Sequence, residues 1–166
     1  MEKTTTIILL VAKLMALTTF ACGQALYLPE DLQKFFEQEK IKSPFEINAT
    51  MNPFYLRGDF DGDKKPDYAI TISERKTGKK GIIIYHTKSK KYFVIGAGQE
   101  LSTRPSDDYG WIDAWEVFCK RDPQIGVGES ETVKLKGEAI LVQKLESSSG
   151  IIYWDGERYQ WYQQGD

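Results

Sequence analysis

The stretch Tyr68-Ala69-Ile70-Thr71-Ile72-Ser73, followed by Lys76-Thr77-Gly78-Lys79-Lys80 and Gly81-Ile82-Ile83-Ile84-Tyr85-His86-Thr87, reads as strand, turn and strand. β-Branched and aromatic residues crowd its two arms, and a glycine among lysines marks the turn between them. The same pattern extends in both directions. Phe54 to Arg57 precedes it, and Tyr92 to Ala97 returns after a basic turn at Lys88 to Lys91. After a long polar loop, Gly98 to Gly110, Trp111 to Lys120 alternates like a further strand. Thr132 to Leu135 and Ala139 to Leu145 predict a hairpin around Lys136-Gly137. Ile151 to Trp154 and Glu157 to Tyr162 flank Asp155-Gly156, a strong short hairpin signal.

Upstream the period changes. Pro29-Glu30-Asp31 suits the first turn of a helix, and Leu32, Phe35 and Phe36 follow on one face at i, i+3, i+4 spacing. The helix is expected to end near Lys40 to Lys42, before Ser43-Pro44. The expected fold is therefore α+β: one N-terminal helix packed on a mainly antiparallel sheet of about seven or eight short strands, with a barrel-like curl left open.

The chain has 166 residues, 41% hydrophobic and 28% charged, with a formal net charge of −2. That balance supports one folded domain and excludes a disordered chain or a polytopic membrane protein. Without a basic excess, nucleic acid is not an expected partner.

Lys3, the apolar run Ile7 to Ala12, Lys13, and Leu14 to Ala21 read as a signal peptide over residues 1–23, with the cut before Gln24. Lys13 leaves the apolar run too short for a membrane span. The alternative is a lipid anchor at Cys22 after Thr19-Phe20-Ala21. The remaining 24–166 form one β-rich domain, expected to be secreted or periplasmic, or held at the envelope as a lipoprotein. With Cys22 removed or lipidated, Cys119 stands alone and is expected to be a small buried apolar residue, so no disulfide framework is predicted.

The chemistry concentrates in Arg57-Gly58-Asp59-Phe60-Asp61-Gly62-Asp63-Lys64-Lys65-Pro66-Asp67-Tyr68-Ala69-Ile70. Asp59, Asp61, Asp63 and Asp67 fall at positions 1, 3, 5 and 9 of a nine-residue loop between strand-like segments. Four acids this close repel one another, and a hard divalent cation reverses that cost. Calcium takes six to eight oxygens, which alternating side chains can supply. The loop is not an EF-hand, since position 12 is Ile70 and no helices flank it.

The pattern resembles the FG-GAP type calcium loop of integrin α-chain propellers and related bacterial secreted proteins. The match runs over Gly58, Asp59, Phe60, Asp61, Gly62, Asp63, Pro66, Asp67, Tyr68 and Ala69. The resemblance implies side-chain ligands from Asp59, Asp61, Asp63 and Asp67, a backbone carbonyl from Lys65, and Phe60 and Tyr68 as core anchors. Lys64 departs from it: the family places glycine there, where φ is positive, and lysine costs about 1 kcal/mol. A propeller needs several copies of the loop, and this chain carries one, so the resemblance covers the loop and not a propeller.

Other candidates are sparse. His86 is the sole histidine and is expected at the surface or hydrogen-bonded rather than in a zinc cluster. Asp107, Asp108, Asp113 and Glu116 are carboxylates with the residue types of a glycoside hydrolase pair, although turn formation explains Ser106-Asp107-Asp108. Tyr153, Trp154, Tyr159, Trp161 and Tyr162 fit either core packing or a binding face. The expected function is an exported, non-enzymatic, calcium-binding module with a structural or a protein- or glycan-binding role. The alternatives are a periplasmic enzyme inhibitor or immunity-type protein acting through Gly98 to Gly110, and a small hydrolase using the acidic residues.

Overall fold

A computed structural model describes residues 26–101, 103–104, 106–119, 123–126 and 131–165. The expected signal peptide, its cut before Gln24 and the alternative anchor at Cys22 lie outside the described residues. No helix among those described is long and apolar enough to cross a membrane.

Two short helices, α1 (Glu30–Phe36) and α2 (Glu39–Lys42), precede nine strands. These are β1 (Phe45–Ile47), β2 (Tyr55–Gly58), β3 (Asp67–Glu74), β4 (Lys80–Tyr85), β5 (Tyr92–Gly96), β6 (Ala114–Phe118), β7 (Ala139–Lys144), β8 (Ser148–Trp154) and β9 (Tyr159–Gly165). In the first sheet β3 pairs with β4, and β4 with β5, while β1 and β2 share the other side of β3. The second sheet runs β6-β7-β8-β9, and every pairing is antiparallel.

The isoleucine run in β4 shows how the layers stack. Ile82 and Ile84 join a core that includes Leu56 and Ala69 of the first sheet and Ile140, Val142 and Ile152 of the second. Ile83 and Tyr85 point the other way, into a core with Leu32, Phe35 and Ile41 of the helices. The first sheet is thus covered on both faces, which is why β4 is apolar at consecutive positions instead of alternate ones. The outer face of the second sheet carries a smaller cluster around Ala139, Ile151 and Tyr162.

Several expectations are corrected. The strands build two sheets facing each other and not a closed barrel, and they number nine among the described residues, not seven or eight. The single expected helix is two. Gln38 is extended, with φ −64° and ψ 133°. In one continuous helix Ile41 would sit about 180° around the axis from Leu32, nine residues earlier. The break turns Ile41 inward, so that both Leu32 and Ile41 are fully buried. Thr132 to Leu135 alternates like a strand but forms none: Val133 and Leu135 lie across the second sheet and pack on its outer cluster. Lys136-Gly137 is accordingly no hairpin tip. The Asp155-Gly156 turn does join two paired strands, with Trp154 opposite Tyr159. Its Asp155 carboxylate accepts from the Glu157 and Arg158 N–H groups at 2.7 and 2.9 Å.

Candidate metal centre

The acidic loop leaves β2 at Gly58 and re-enters β3 at Asp67, and these two residues face each other in the ladder. Its ends are therefore held by the sheet. Phe60 is fully buried between the sheets, which pins the middle of the loop to the core. Tyr68 is also buried, on the helix side.

Within the loop the carboxylates collect backbone donors. Asp59 accepts from Gly62 N–H at 2.8 Å and from Lys64 N–H at 3.2 Å. Asp61 accepts from Asp63 N–H at 3.0 Å, and Asp63 from Lys65 N–H at 2.8 Å. Two positive-φ residues let the chain coil this tightly, Gly62 at 83° and Lys64 at 67°. Residue 64 thus has the left-handed backbone for which the loop pattern favours glycine. Asp67 is fully buried and accepts from Phe60 N–H at 3.2 Å and Thr87 N–H at 2.9 Å.

Oxygens of Asp59, Asp61 and Asp63 lie within 4.8 Å of one another, and so do ligand atoms of Asp61, Asp67 and His86. The structure places four of the expected side chains in these two overlapping groups, joined at Asp61. Lys65, expected to offer its carbonyl, is exposed in the same loop.

The electrostatics follow from crowding and burial. Desolvation pushes the Asp67 carboxyl up to about 7, and the Asp61 and Asp63 charges add to the rise, against the two backbone donors. Burial lowers the His86 pKa, partly opposed by Asp61 and Asp63. A neutral His86 has one donor and one acceptor nitrogen. Nδ1 stands 3.2 Å from Asp61 Oδ2 and Nε2 2.6 Å from the Tyr159 hydroxyl. The tautomer that satisfies both contacts carries its proton on Nδ1, donates to Asp61 and accepts from Tyr159 O–H. Burial holds the Tyr159 hydroxyl well above its ordinary pKa, so it keeps the proton it donates.

Three contacts clamp the loop from outside, and all were absent from the sequence reading. His86 connects it to Tyr159 on β9 and is 2% exposed, so the hydrogen-bonded role holds and the surface one does not. The pairing of Tyr68 with Tyr85 sets Asp67 beside His86, a signal that strand register could have exposed. Thr87 O–H donates to the Pro66 carbonyl at 2.8 Å. From the second sheet, Glu138 N–H donates to the Asp59 carbonyl at 2.6 Å, and Asp59 N–H donates to Glu138 Oε2 at 2.7 Å. Gly137 makes this approach possible. A Cβ built there would lie 2.6 Å from the Gly62 nitrogen and closer still to the Asp59 carbonyl oxygen.

The other candidates separate. Asp107 pairs with Lys79, Asp108 accepts from Lys80 N–H at 3.0 Å and Gly110 N–H at 2.9 Å, and Asp113 pairs with Lys144 at 2.9 Å. Each of these three carboxylates is committed locally, and Glu116 is exposed on β6. Cys119 is exposed rather than buried, because β6 ends at Phe118 and the thiol lies beyond the ladder. Of the C-terminal aromatics, Tyr159 and Tyr162 are core residues, and Trp154 and Trp161 pack half-buried against the inter-sheet core.

No protein-family model, no curated protein and no solved structure matches this chain.

Proposed function

We propose that the chain is an exported, non-enzymatic calcium-binding module, and that the ion serves to lock the loop Asp59 to Asp67 between the two sheets. The observation that carries this reading is the fully buried Asp67, which accepts from two backbone amides and has ligand atoms of Asp61 and His86 within 4.8 Å. A buried carboxylate gains most from a cation, because desolvation is the term that a bound charge reverses. The donor set is rich in oxygen, which suits calcium more than zinc. Both nitrogens of His86 are occupied by Asp61 and Tyr159, which makes it an orienting partner of a ligand and not a ligand itself. Asp59, Asp61, Asp63 and Asp67 would hold the ion through side chains, and Lys65 through its carbonyl. The FG-GAP resemblance supports the same set.

The ion's part is structural: its two positive charges offset the mutual repulsion of the four carboxylates and set the loop against Glu138 and His86. A protein- or glycan-binding role rests on that rigid frame. The test is thermal unfolding of residues 24–166 with calcium and with chelator. A hundredfold excess of calcium over Kd should add about 2.7 kcal/mol of stability, and Asp61→Ala should lose most of it. Melting that ignores both calcium and chelator refutes the site.

A further inference from the structure

Among the described residues, three side-chain atoms are buried without a hydrogen-bond partner: Arg104 Nε, Tyr109 Oη and Trp111 Nε1. All three belong to one cluster in the long loop between β5 and β6. The Arg104 guanidinium carbon lies 4.8 Å from the Trp111 ring centroid and 4.4 Å from that of Trp161, and the Tyr109 and Trp111 centroids are 5.9 Å apart. The loop is tied down on both sides of the cluster. Thr103 Oγ1 accepts from the Trp161 N–H of β9 at 2.7 Å, and Tyr109 N–H donates to the Lys80 carbonyl of β4 at 2.9 Å. Arg104 and the two tryptophans are half-buried, while Tyr109 is 3% exposed. Arg104 makes no ion pair within 4.0 Å among the described residues. Its Nε and the Trp111 Nε1 act only as donors. Burial pushes the Tyr109 hydroxyl up to about 12, so it keeps its proton too, and the one charge that bears on it is that of Arg104. The cluster thus gathers three idle donors and one positive charge, with no carboxylate to receive them.

We propose that Arg104, Tyr109 and Trp111 bind one carboxylate group, carried by a small organic acid or by a peptide C-terminus. A guanidinium presents its N–H groups as a planar fork that matches the two oxygens of a carboxylate. A buried donor left unmade is costly, and an ionised acceptor recovers that cost for several donors at once. Water accepts from the same donors but leaves the half-buried charge without a counterion. A doubly charged phosphate would overbalance the single cation. The tryptophans hold the guanidinium through their rings, a contact that uses none of its N–H groups. None of these residues lies in the acidic loop, so the site stands apart from the calcium reading.

The experiment titrates isotope-labelled protein at neutral pH with sodium acetate and with N-acetylglycine, against sodium chloride and acetamide, and follows proton–nitrogen NMR. The Trp111 Nε1–H and Arg104 Nε–H resonances should shift saturably with both acids and with neither control. The Trp115 indole N–H, which already donates to the Pro53 carbonyl at 2.6 Å, should stay in place. Tighter binding of N-acetylglycine identifies a peptide C-terminus as the source, and tighter binding of acetate a small free acid. Arg104→Lys keeps the charge but not the fork and should weaken binding about tenfold. Tyr109→Phe should weaken it roughly threefold without lowering the melting temperature of the acid-free protein, because its hydroxyl has no partner to lose. No saturable shift, an equal shift with chloride, or inorganic phosphate binding tighter than either acid overturns the proposal. So does a Tyr109→Phe protein that binds as the parent does, a result that decides the matter even if Arg104→Lys fails to fold.

Discussion

Gly137→Ala tests whether the second sheet clamps the acidic loop as tightly as the geometry requires. The φ of Gly137 is not positive, so alanine is allowed by its own backbone, and the whole effect comes from contact. The added Cβ meets backbone on the far side, the Gly62 nitrogen at 2.6 Å and the Asp59 carbonyl nearer still. Neither can rotate away as a flexible side chain would. Relief requires the turn and the loop to part by roughly 1 Å, since ordinary carbon contacts begin near 3.5 Å. That movement takes the Glu138 N–H to Asp59 carbonyl bond, now 2.6 Å, beyond hydrogen-bonding range. Losing a part-buried backbone pair costs about 1–3 kcal/mol. The stiffer unfolded chain returns about 0.4–1 kcal/mol. The net expectation is a destabilisation of about 1–2 kcal/mol, with weaker calcium binding because Asp59 shifts. Gly62→Ala should be worse, since its Cβ lies 2.6 Å from the Lys136 carbonyl and its φ of 83° adds strain. Urea unfolding monitored by tryptophan fluorescence, with calcium titrations on each variant, gives both quantities. If Gly137→Ala is as stable as the parent and binds calcium equally, the clamp does not exist and the loop is held by the first sheet alone.

Three further outcomes are expected. Lys64→Gly should stabilise the calcium-loaded protein by a few tenths to about 1 kcal/mol, because relief of the left-handed backbone exceeds the added chain entropy; a loss of stability would contradict that balance. In chelator, stability should fall by roughly 1 kcal/mol between pH 6.5 and 8, because the folded Asp67, held up to about 7, keeps a proton that the unfolded carboxyl has already released. This contribution is complete below pH 3.8 and lost as pH rises through about 7. His86, lowered by burial, acts with the opposite sign, because its unfolded imidazole is still half protonated at 6.5, so it offsets part of the Asp67 fall at the lower end of the window. Excess calcium should abolish the slope, and denaturant curves at four pH values would show a flat response if Asp67 is ionised throughout. Tyr159→Phe should cost about 1–3 kcal/mol by leaving a buried imidazole nitrogen without its donor; nitrogen NMR of the parent should show the proton on Nδ1, and a proton on Nε2 would reverse the assigned bond.

What the chain shows by itself is what lies close together along it. The spacing of Asp59, Asp61, Asp63 and Asp67 is local, so a crowded carboxylate loop between two strands was legible without any tertiary contact. The same holds for the β3–β4 hairpin and for the turn at Asp155, where a few residues set the backbone. Leu32 and Phe35 were legible as a buried stripe, because helical period is also local. The tertiary structure decided everything that depends on which distant segments meet. Strand signals do not say which edges pair, so one sheet could not be told from two. The break at Gln38 follows from the need to bury Ile41 as well as Leu32, a demand set by the sheet and not by helix propensity. Cys119 alternates with apolar neighbours yet lies outside, because β6 stops one residue earlier. Above all, the partners of the loop come from far away: Glu138 reaches Asp59 across 79 residues, and Tyr159 reaches His86 across 73. Hydrogen bonds of that span depend on the packing of two sheets, and no local pattern carries their register.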